Sequence, residues 1–245
     1  MKTTVKKHVL VSGGSRGLGL AFVEELLKVG YVVSTFSRHE TEATERLSQR
    51  DDFFFQTGDM ADHNNLENFV KNSCQRFGRP WGLVNSAAIA TESLLATVTE
   101  GDLHKTLAVN LEGTLWLTRL TIRQMLLNDD QSRSIVNISS VVGHRGYRGL
   151  AVYSATKGAI EAATRSICRE IGPRQIRINT IAPGYLETDM TETLDPEQRE
   201  QIIRRTPLGR LGKADDITGL LLFLLSKDSN FITGQTFLVD GGLTS

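Results

Sequence analysis

Short apolar runs alternate with longer stretches of helical periodicity along the whole chain. Val9-Leu10-Val11 precedes a helical pattern over residues 18–29, and Val32-Val33-Ser34-Thr35-Phe36 precedes another over 42–49. Phe53-Phe54-Phe55 comes before 65–77, and Leu83-Val84 before a long helical stretch over 102–127. Ile135-Val136-Asn137-Ile138 leads to a helix rich in small residues that carries Tyr153 in its first turn. Ile176-Arg177-Ile178-Asn179-Thr180-Ile181 follows, then helical patterns over 196–204 and 214–225, and last Phe237-Leu238-Val239. Runs this short and apolar suit strands buried on both faces, and parallel neighbours need a crossover helix between them. The alternation predicts one doubly wound α/β domain over 1–245, with about seven parallel strands and helices on both faces. No repeat, low-complexity tract or Pro/Gly-rich linker divides it.

Composition narrows the function classes. The 245 residues are 40% hydrophobic and 23% charged, as in an ordinary globular chain. Lys+Arg and Asp+Glu both number 28, so net charge offers no attraction for nucleic acid or an anionic membrane. Cys74 and Cys168 sit far apart inside helical patterns, which argues against a disulfide scaffold and a zinc site. The histidines His8, His39, His63, His104 and His144 show no metal-ligand spacing, so no metal is expected. His8, His63 and His104 read as surface residues. The basic start carries an apolar run too short for a secretory signal, and no stretch approaches the roughly 18 apolar residues of a membrane span. A cytoplasmic protein with neither nucleic-acid nor membrane partner is expected.

The first strand-to-helix junction reads "VLVSGGSRGLG", with glycines spaced Gly13-x-x-x-Gly17-x-Gly19. Glycine there permits a tight turn, close approach of backbone to a pyrophosphate and tight packing of helix on strand. The helix N-terminus then offers free N–H groups and a partial positive charge to phosphate. At the end of the second strand an acid would bind a ribose 2′-OH, and a base a 2′-phosphate. This chain has Arg38, which follows Gly19 by 19 residues. Arg16 in the loop can converge on the same phosphate, Ser37 can donate a hydrogen bond, and His39 stands beside them. Two guanidiniums near one dianion favour NADP(H).

Tyr153 and Lys157 lie four apart on one helix face, which sets a weak acid beside a cation. In isolation such a pair is most often a surface pair; its setting decides otherwise. The stretches "SGGSRGLG" (12–19), "VNSAA" (84–88), "VNLEG" (109–113), "NISSVVG" (137–143), "YSATK" (153–157), "NTIAPGYLETDM" (179–190), "PLGRLG" (207–212) and "ITGQTFLVDGG" (232–242) occur in this order. With them the chain resembles the short-chain dehydrogenase/reductases over essentially its whole length. Within these it is most similar to the 3-oxoacyl-(acyl-carrier-protein) reductases and related carbonyl reductases. The resemblance implies a Rossmann fold and a catalytic tetrad of Asn110, Ser140, Tyr153 and Lys157. The family spacing of thirteen residues to the tyrosine selects Ser140 over Ser139. Tyr153 would protonate the carbonyl oxygen as hydride arrives, its pKa lowered by the Lys157 ammonium. Ser140 would polarise the same oxygen. Lys157 would also hold the nicotinamide ribose. Asn110 would fix a water that reloads the proton; read without the resemblance, it is only a polar residue that bends a long apolar helix.

The same resemblance implies cofactor contacts from Gly13, Ser15, Arg16, Gly17, Leu18 and Gly19 of the loop, and from Ser37 and Arg38. It adds Asp59 and Met60 at the adenine, Asn85 after the fourth strand, and Pro183, Gly184 and Thr188 at the nicotinamide end, besides Tyr153 and Lys157. Ala88 stands where the family commonly has glycine, which is harmless at negative φ and costly at positive φ. The substrate is expected between the loop His144–Arg148, with His144 and Tyr147, and a wall from Tyr185, Leu186 and a lid-like segment over 187–205. Ser140 and Tyr153 complete that site. The basic loop suits an anionic substrate or a phosphopantetheine arm; it reads equally as ordinary solvated charge. The expected activity is NADPH-dependent reduction of a carrier-bound 3-oxoacyl thioester to the 3-hydroxyacyl product, in fatty-acid or polyketide-like metabolism. The alternatives are oxidoreduction of another ketone or secondary alcohol, and a non-catalytic NADP-binding regulator, against which the intact tetrad argues. Leu115, Trp116 and Leu120 with Ala155, Ala159, Ala162 and Ala163 mark the two helices that meet symmetry mates in the family, so a homotetramer is expected.

Overall fold

The computed structural model describes residues 6–127, 132–187 and 195–245. All seven apolar runs are strands: β1 His8–Ser12, β2 Val32–Ser37, β3 Phe53–Thr57, β4 Gly82–Asn85, β5 Arg133–Ile138, β6 Ile176–Pro183 and β7 Thr236–Val239. They form one parallel sheet in the order β3-β2-β1-β4-β5-β6-β7. The order reverses at the β1/β4 junction, so the carboxyl ends of those strands open a crevice there. β5 and β6 are buried along their whole lengths, including the polar Ser134, Asn137, Arg177, Asn179 and Thr180, which find hydrogen-bond partners inside.

The helices are α1 Gly17–Lys28, α2 Glu42–Leu47, α3 His63–Phe77, α4 Glu100–Leu107, α5 Gly113–Met125, α6 Val141–Arg145, α7 Ala151–Ile171, α8 Pro196–Arg205 and α9 Asp215–Leu225. One apolar cluster joins α1 and α9 to the sheet through Phe22, Val23, Leu26, Ile217, Leu221 and Leu224. A second joins α3 and α5 to the other face through Leu66, Phe69, Leu117 and Met125. Two layers of helix thus cover a sheet whose core side chains are 0–9% exposed.

Two expectations need correction, and one element went unread. The single long helix over 102–127 is α4 and α5 joined by a π-helical turn, Ala108–Glu112. The five-residue α6 had no reading of its own. His8 is buried, not a surface residue: Nδ1–H donates to the Gly78 carbonyl at 2.8 Å, so Nε2 accepts from Ser34 Oγ, also at 2.8 Å. Burial pulls its pKa down to about 4 and keeps the ring neutral.

Candidate active site

The glycine corner is built by what side chains leave out. Gly13 has φ +73° and Gly17 φ +54°, both in the region that favours glycine. A Cβ on Gly19 would lie 2.2 Å from the Gly13 carbonyl oxygen, and one on Gly13 would lie 2.9 Å from Ala87 Cα. Gly13 N–H donates to the Phe36 carbonyl, which draws the loop to the end of β2. Exposed Arg16 and Arg38 stand at the two ends of that link, and Ser15 is buried beneath it. Leu18 packs on the apolar cluster under α1. Ser37 Oγ–H donates to the His39 carbonyl at 2.6 Å, so its proton is engaged in the chain's own turn. Asp59 follows β3 half-buried, its Oδ1 accepting from the Ala61 N–H, and Met60 is buried beside it.

The second corner lies where β5 gives way to α6 and α7. Ser140 caps α6, with Oγ accepting from the Val142 N–H. α6 packs directly on α7: a Cβ on Gly143 would lie 3.0 Å from Lys157 Cβ and from the Gly158 nitrogen. That approach puts the Ser140 hydroxyl in hydrogen-bond reach of the Tyr153 phenol. Lys157 is 4% exposed; its Nζ donates to the Ile138 carbonyl at 2.8 Å and lies 5.4 Å from the centroid of the Tyr153 ring. Ser139, the neighbour that the spacing passes over, donates instead to Glu161 Oε1 at 2.7 Å.

The electrostatics differ from the expectation. Burial pushes the Tyr153 phenol up to about 12, against a smaller opposite pull from the Ser140 hydroxyl. Burial draws Lys157 down to about 8, and the Glu161 carboxylate partly restores it. Desolvation therefore outweighs any depression of Tyr153 by Lys157. At neutral pH the corner holds a neutral phenol beside a buried ammonium.

Asn110 sits in the π turn. Its amide clamps one residue of the β4–α4 connection: Ile89 N–H donates to Oδ1 at 2.8 Å, and Nδ2 donates to the Ile89 carbonyl at 2.7 Å and to Thr156 Oγ1 at 3.3 Å. It sits where the helix departs from α geometry and braces α7 three residues past Tyr153, which matches the reading of a polar residue that bends a long helix. Asn85 is placed inside the protein rather than at the crevice surface. Its amide donates to Thr118 Oγ1 and Asn137 Oδ1, and the ladder continues through Thr164 and Thr180. Pro183 ends β6, and Gly184 passes so near Asp240 that a Cβ would lie 2.8 Å from its Cα. Thr188 lies outside the described residues.

A cleft of about 130 Å³ opens beside this corner, lined among others by Val142, Arg145, Tyr147, Tyr185, Ile202 and Arg205. Tyr147 and Tyr185 meet edge to face at 6.1 Å, and burial with the Tyr147 contact raises the Tyr185 phenol. Arg199 of α8 binds Glu187 at 2.8 Å and ties the far wall to the end of β6. His144, expected in this wall, is not among the lining residues; its Nδ1 lies 3.5 Å from Glu161 Oε2. Leu243 and Thr244 at the chain's end also line the cleft, a contribution no local motif signals.

A family model described as enoyl-(acyl carrier protein) reductase matches residues 13–244. The 3-oxoacyl-[acyl-carrier-protein] reductase FabG of Chlamydia pneumoniae is 34% identical, over 99% of this chain and 98% of that protein. Carbonyl reductase family member 4 of Xenopus tropicalis is 35% identical, over 97% and 98%. A solved short-chain dehydrogenase/reductase from Serratia marcescens superposes with a TM-score of 0.91 at 28% identity, covering 98% of this chain and 99% of that one. The chain belongs to the short-chain dehydrogenase/reductase family. It is an oxidoreductase of that kind, and such enzymes use NAD(P)(H).

For a short-chain dehydrogenase/reductase the glycine corner fits a dinucleotide. A Cβ on Gly17 would meet nothing within 4 Å, so open space lies over the loop at the N-terminus of α1. Ala88, where this chain departs from the family pattern, is not strained: among the described residues Gln175 is the only non-glycine with positive φ.

Proposed function

We propose that the protein reduces a 3-oxoacyl thioester to the 3-hydroxyacyl product with NADPH. The observation that carries this reading is the corner in which half-buried Ser140 and Tyr153 stand over the buried Lys157 beside the glycine crevice. The relatives named as 3-oxoacyl-[acyl-carrier-protein] reductases support the substrate class. Arg16 and Arg38 would hold the 2′-phosphate, the loop of Gly13, Gly17 and Gly19 the pyrophosphate, and Asp59 the adenine. Bound NADPH supplies a hydride.

The chain's own residues manage the proton. Tyr153 O–H donates it to the carbonyl oxygen, and Ser140 Oγ–H hydrogen-bonds the same oxygen as negative charge grows there. The Lys157 ammonium stabilises the phenolate left behind until solvent restores its proton. A phenol held neutral by burial suits this acid role at pH 7. Because both ends of the Asn110 amide are engaged with Ile89, its part is to hold the π turn against α7.

A carrier-linked substrate would use the exposed arginines at the mouth. Arg148 is exposed there, while Arg145 Nη1 bonds the Leu243 carbonyl. Arg174 sits past the far end of α7, roughly 30 Å from Tyr153 by helix rise, so it would reach a mouth only in an assembly. Asp129 and Asp130, which precede β5 in "LLNDDQSRS", would repel an acidic carrier protein; they lie outside the described residues. A homotetramer and a cytoplasmic setting belong to the same proposal. Ala155 and Ala162 are exposed on α7, as such an assembly would need, whereas Leu120 packs inside and Trp116 is covered by His63 and Arg119. No helix among the described residues is long and apolar enough to cross a membrane.

The second reading is reduction of a free ketone, favoured by the carbonyl reductase relative. Steady-state oxidation of NADPH and of NADH with 3-oxoacyl thioesters, carrier-linked thioesters and simple ketones separates them. Thioesters with NADPH should give the highest kcat/KM. A preference for simple ketones selects the second reading, and a preference for NADH rejects the role of Arg16 and Arg38. Arg148→Glu should raise KM for the carrier-linked substrate more than for a short free thioester, less so at high salt.

A further inference from the structure

Tyr153 and Lys157 do not end their stripe on α7. The next position four residues on is Glu161, on the same helix face. It is 3% exposed, and no other Asp or Glu among the described residues is buried. A buried carboxylate is costly unless its oxygens are paired. Both oxygens of Glu161 have partners that belong to the active corner. Oε1 accepts from Ser139 Oγ–H at 2.7 Å, in the residue between Ile138, whose carbonyl holds Lys157, and Ser140. The same Ser139 hydroxyl lies 3.3 Å from the Lys157 carbonyl. Oε2 lies 3.5 Å from His144 Nδ1, on an exposed side chain of α6.

Apart from the His144 imidazole at Oε2, the other elements around α7 bring no further charge to this carboxylate among the described residues. On α6, Arg145 is turned to the Leu243 carbonyl. The acid of the π turn, Glu112, is exposed, and so is Arg165, one turn beyond Glu161. α4 carries Glu100, Asp102, His104 and Lys105, and β6 carries Arg177; none of them acts on Lys157, for which Glu161 is the one charge found among the described residues.

We infer that Glu161 is a positioning residue of the reaction, fixing the β5–α6 junction through Ser139 and supplying the buried counter-charge that keeps Lys157 an ammonium. This rests on the reading of Tyr153 and Lys157 given above. Burial alone lowers Lys157, and Glu161 opposes that. Without the carboxylate the ammonium is lost at lower pH, so activity that needs it fails earlier on the alkaline side.

The test is the pH profile of reduction between pH 6 and 9.5 for wild type, Glu161→Gln and Ser139→Ala, with NADPH affinity measured by fluorescence. Glu161→Gln keeps an oxygen for Ser139 and removes the charge. Its alkaline limb should move down by about one pH unit, costing roughly tenfold in kcat near pH 9, while NADPH affinity and activity at pH 6.5 stay within about threefold. Ser139→Ala keeps the charge and removes the tether; its limb should stay in place while kcat falls by several-fold. A Glu161→Gln profile that superposes on wild type, or is lowered equally at every pH, overturns the inference. If Glu161→Gln does not fold, Ser139→Ala decides: unchanged kcat overturns the inference, and a lower kcat with an unmoved limb supports it. Tyr153→Phe in the same assay separates the two levels. If it is inactive and Glu161→Gln is indifferent, only the role of Glu161 fails; if it stays active, the reading of the whole corner fails.

Discussion

Two corners of one sheet edge meet at the proposed site, and they are made in opposite ways. At the end of β1 the chain removes side chains: a Cβ on Gly13 or Gly19 would enter the backbone facing it. At the end of β5 it buries polar ones: Lys157, Ser139 and Glu161 are each under 9% exposed, within reach of a Tyr153 pushed up to about 12. The first corner can bind an anion with N–H groups and a helix terminus and has no proton to move. The second holds protons in an environment that shifts where they reside. Binding and chemistry are thus divided between absent and buried side chains, and each half fails in its own way.

The largest effect is expected at the second corner. Tyr153→Phe keeps the ring and removes the donor. Positioned acid catalysis contributes about 10²–10⁴-fold, so kcat should fall on that scale with NADPH affinity retained. Loss of NADPH binding in that variant, measured by fluorescence titration, would show that the two corners are not separable.

Next comes a control for burial itself. His8 lies at the opposite, amino edge of the sheet, is as deeply buried as Lys157, and touches nothing in the crevice. Its pKa is about 4 in the fold and near 6.5 unfolded, so the folded state binds fewer protons between those values. Its neutral form is stabilising above pH 6.5, and that stability is lost as pH falls from 6.5 towards 4, by up to about 3 kcal/mol. Denaturant unfolding at pH 4.5 to 7.5 should show this slope in wild type and a flatter one in His8→Gln, with kcat unchanged at pH 7. A change in kcat would mean that burial at the amino edge reaches the chemistry.

The seven strands and the glycine corner were legible in sequence because each depends on neighbours in the chain: a run of apolar residues, or a turn with no room for Cβ. What escaped depends on partners far away. The helix over 102–127 reads as continuous by periodicity; the π turn comes from the bond between Asn110 and Ile89, 21 residues earlier. His8 reads as surface because its partners are Ser34 and Gly78, and Ser37 reads as a free donor because the turn to His39 is not visible in the pattern. Tyr153, Lys157 and Ser140 were found by motif. Glu161 has the same spacing again, but nothing local shows that Ser139 and His144 close around it.

The glycine corner can be tested against itself. Gly17 needs glycine only for its positive φ, with open space beyond, whereas Gly19 needs it for close approach to the Gly13 carbonyl. Gly17→Ala should cost about 1 kcal/mol of stability from the left-handed backbone. Gly19→Ala must push backbone aside, costing about 1–3 kcal/mol, and should weaken NADPH binding. Thermal unfolding and cofactor titration of the pair check the order. Equal losses would mean that close approach contributes nothing beyond conformation.

The smallest expected effect is at Gln175, between α7 and β6. It is the only non-glycine residue with positive φ among those described, at φ 56° and ψ 28°. Its N–H donates to the Gly172 carbonyl and its carbonyl accepts from Arg133 N–H, so the backbone is held there from both sides while the side chain is exposed. Glycine removes the Cβ penalty of this conformation, about 1 kcal/mol, but raises the entropy of the unfolded chain by a comparable fraction. Gln175→Gly should therefore gain no more than about 0.5 kcal/mol, and Gln175→Val should lose at least about 1 kcal/mol, since a β-branched side chain tolerates positive φ least. Neither should alter kcat, because the turn lies at the amino edge, a helix-length from Tyr153. A rise in stability with a fall in kcat would show that strain at this turn is transmitted along α7 to the second corner, and the division between the two edges would have to be redrawn.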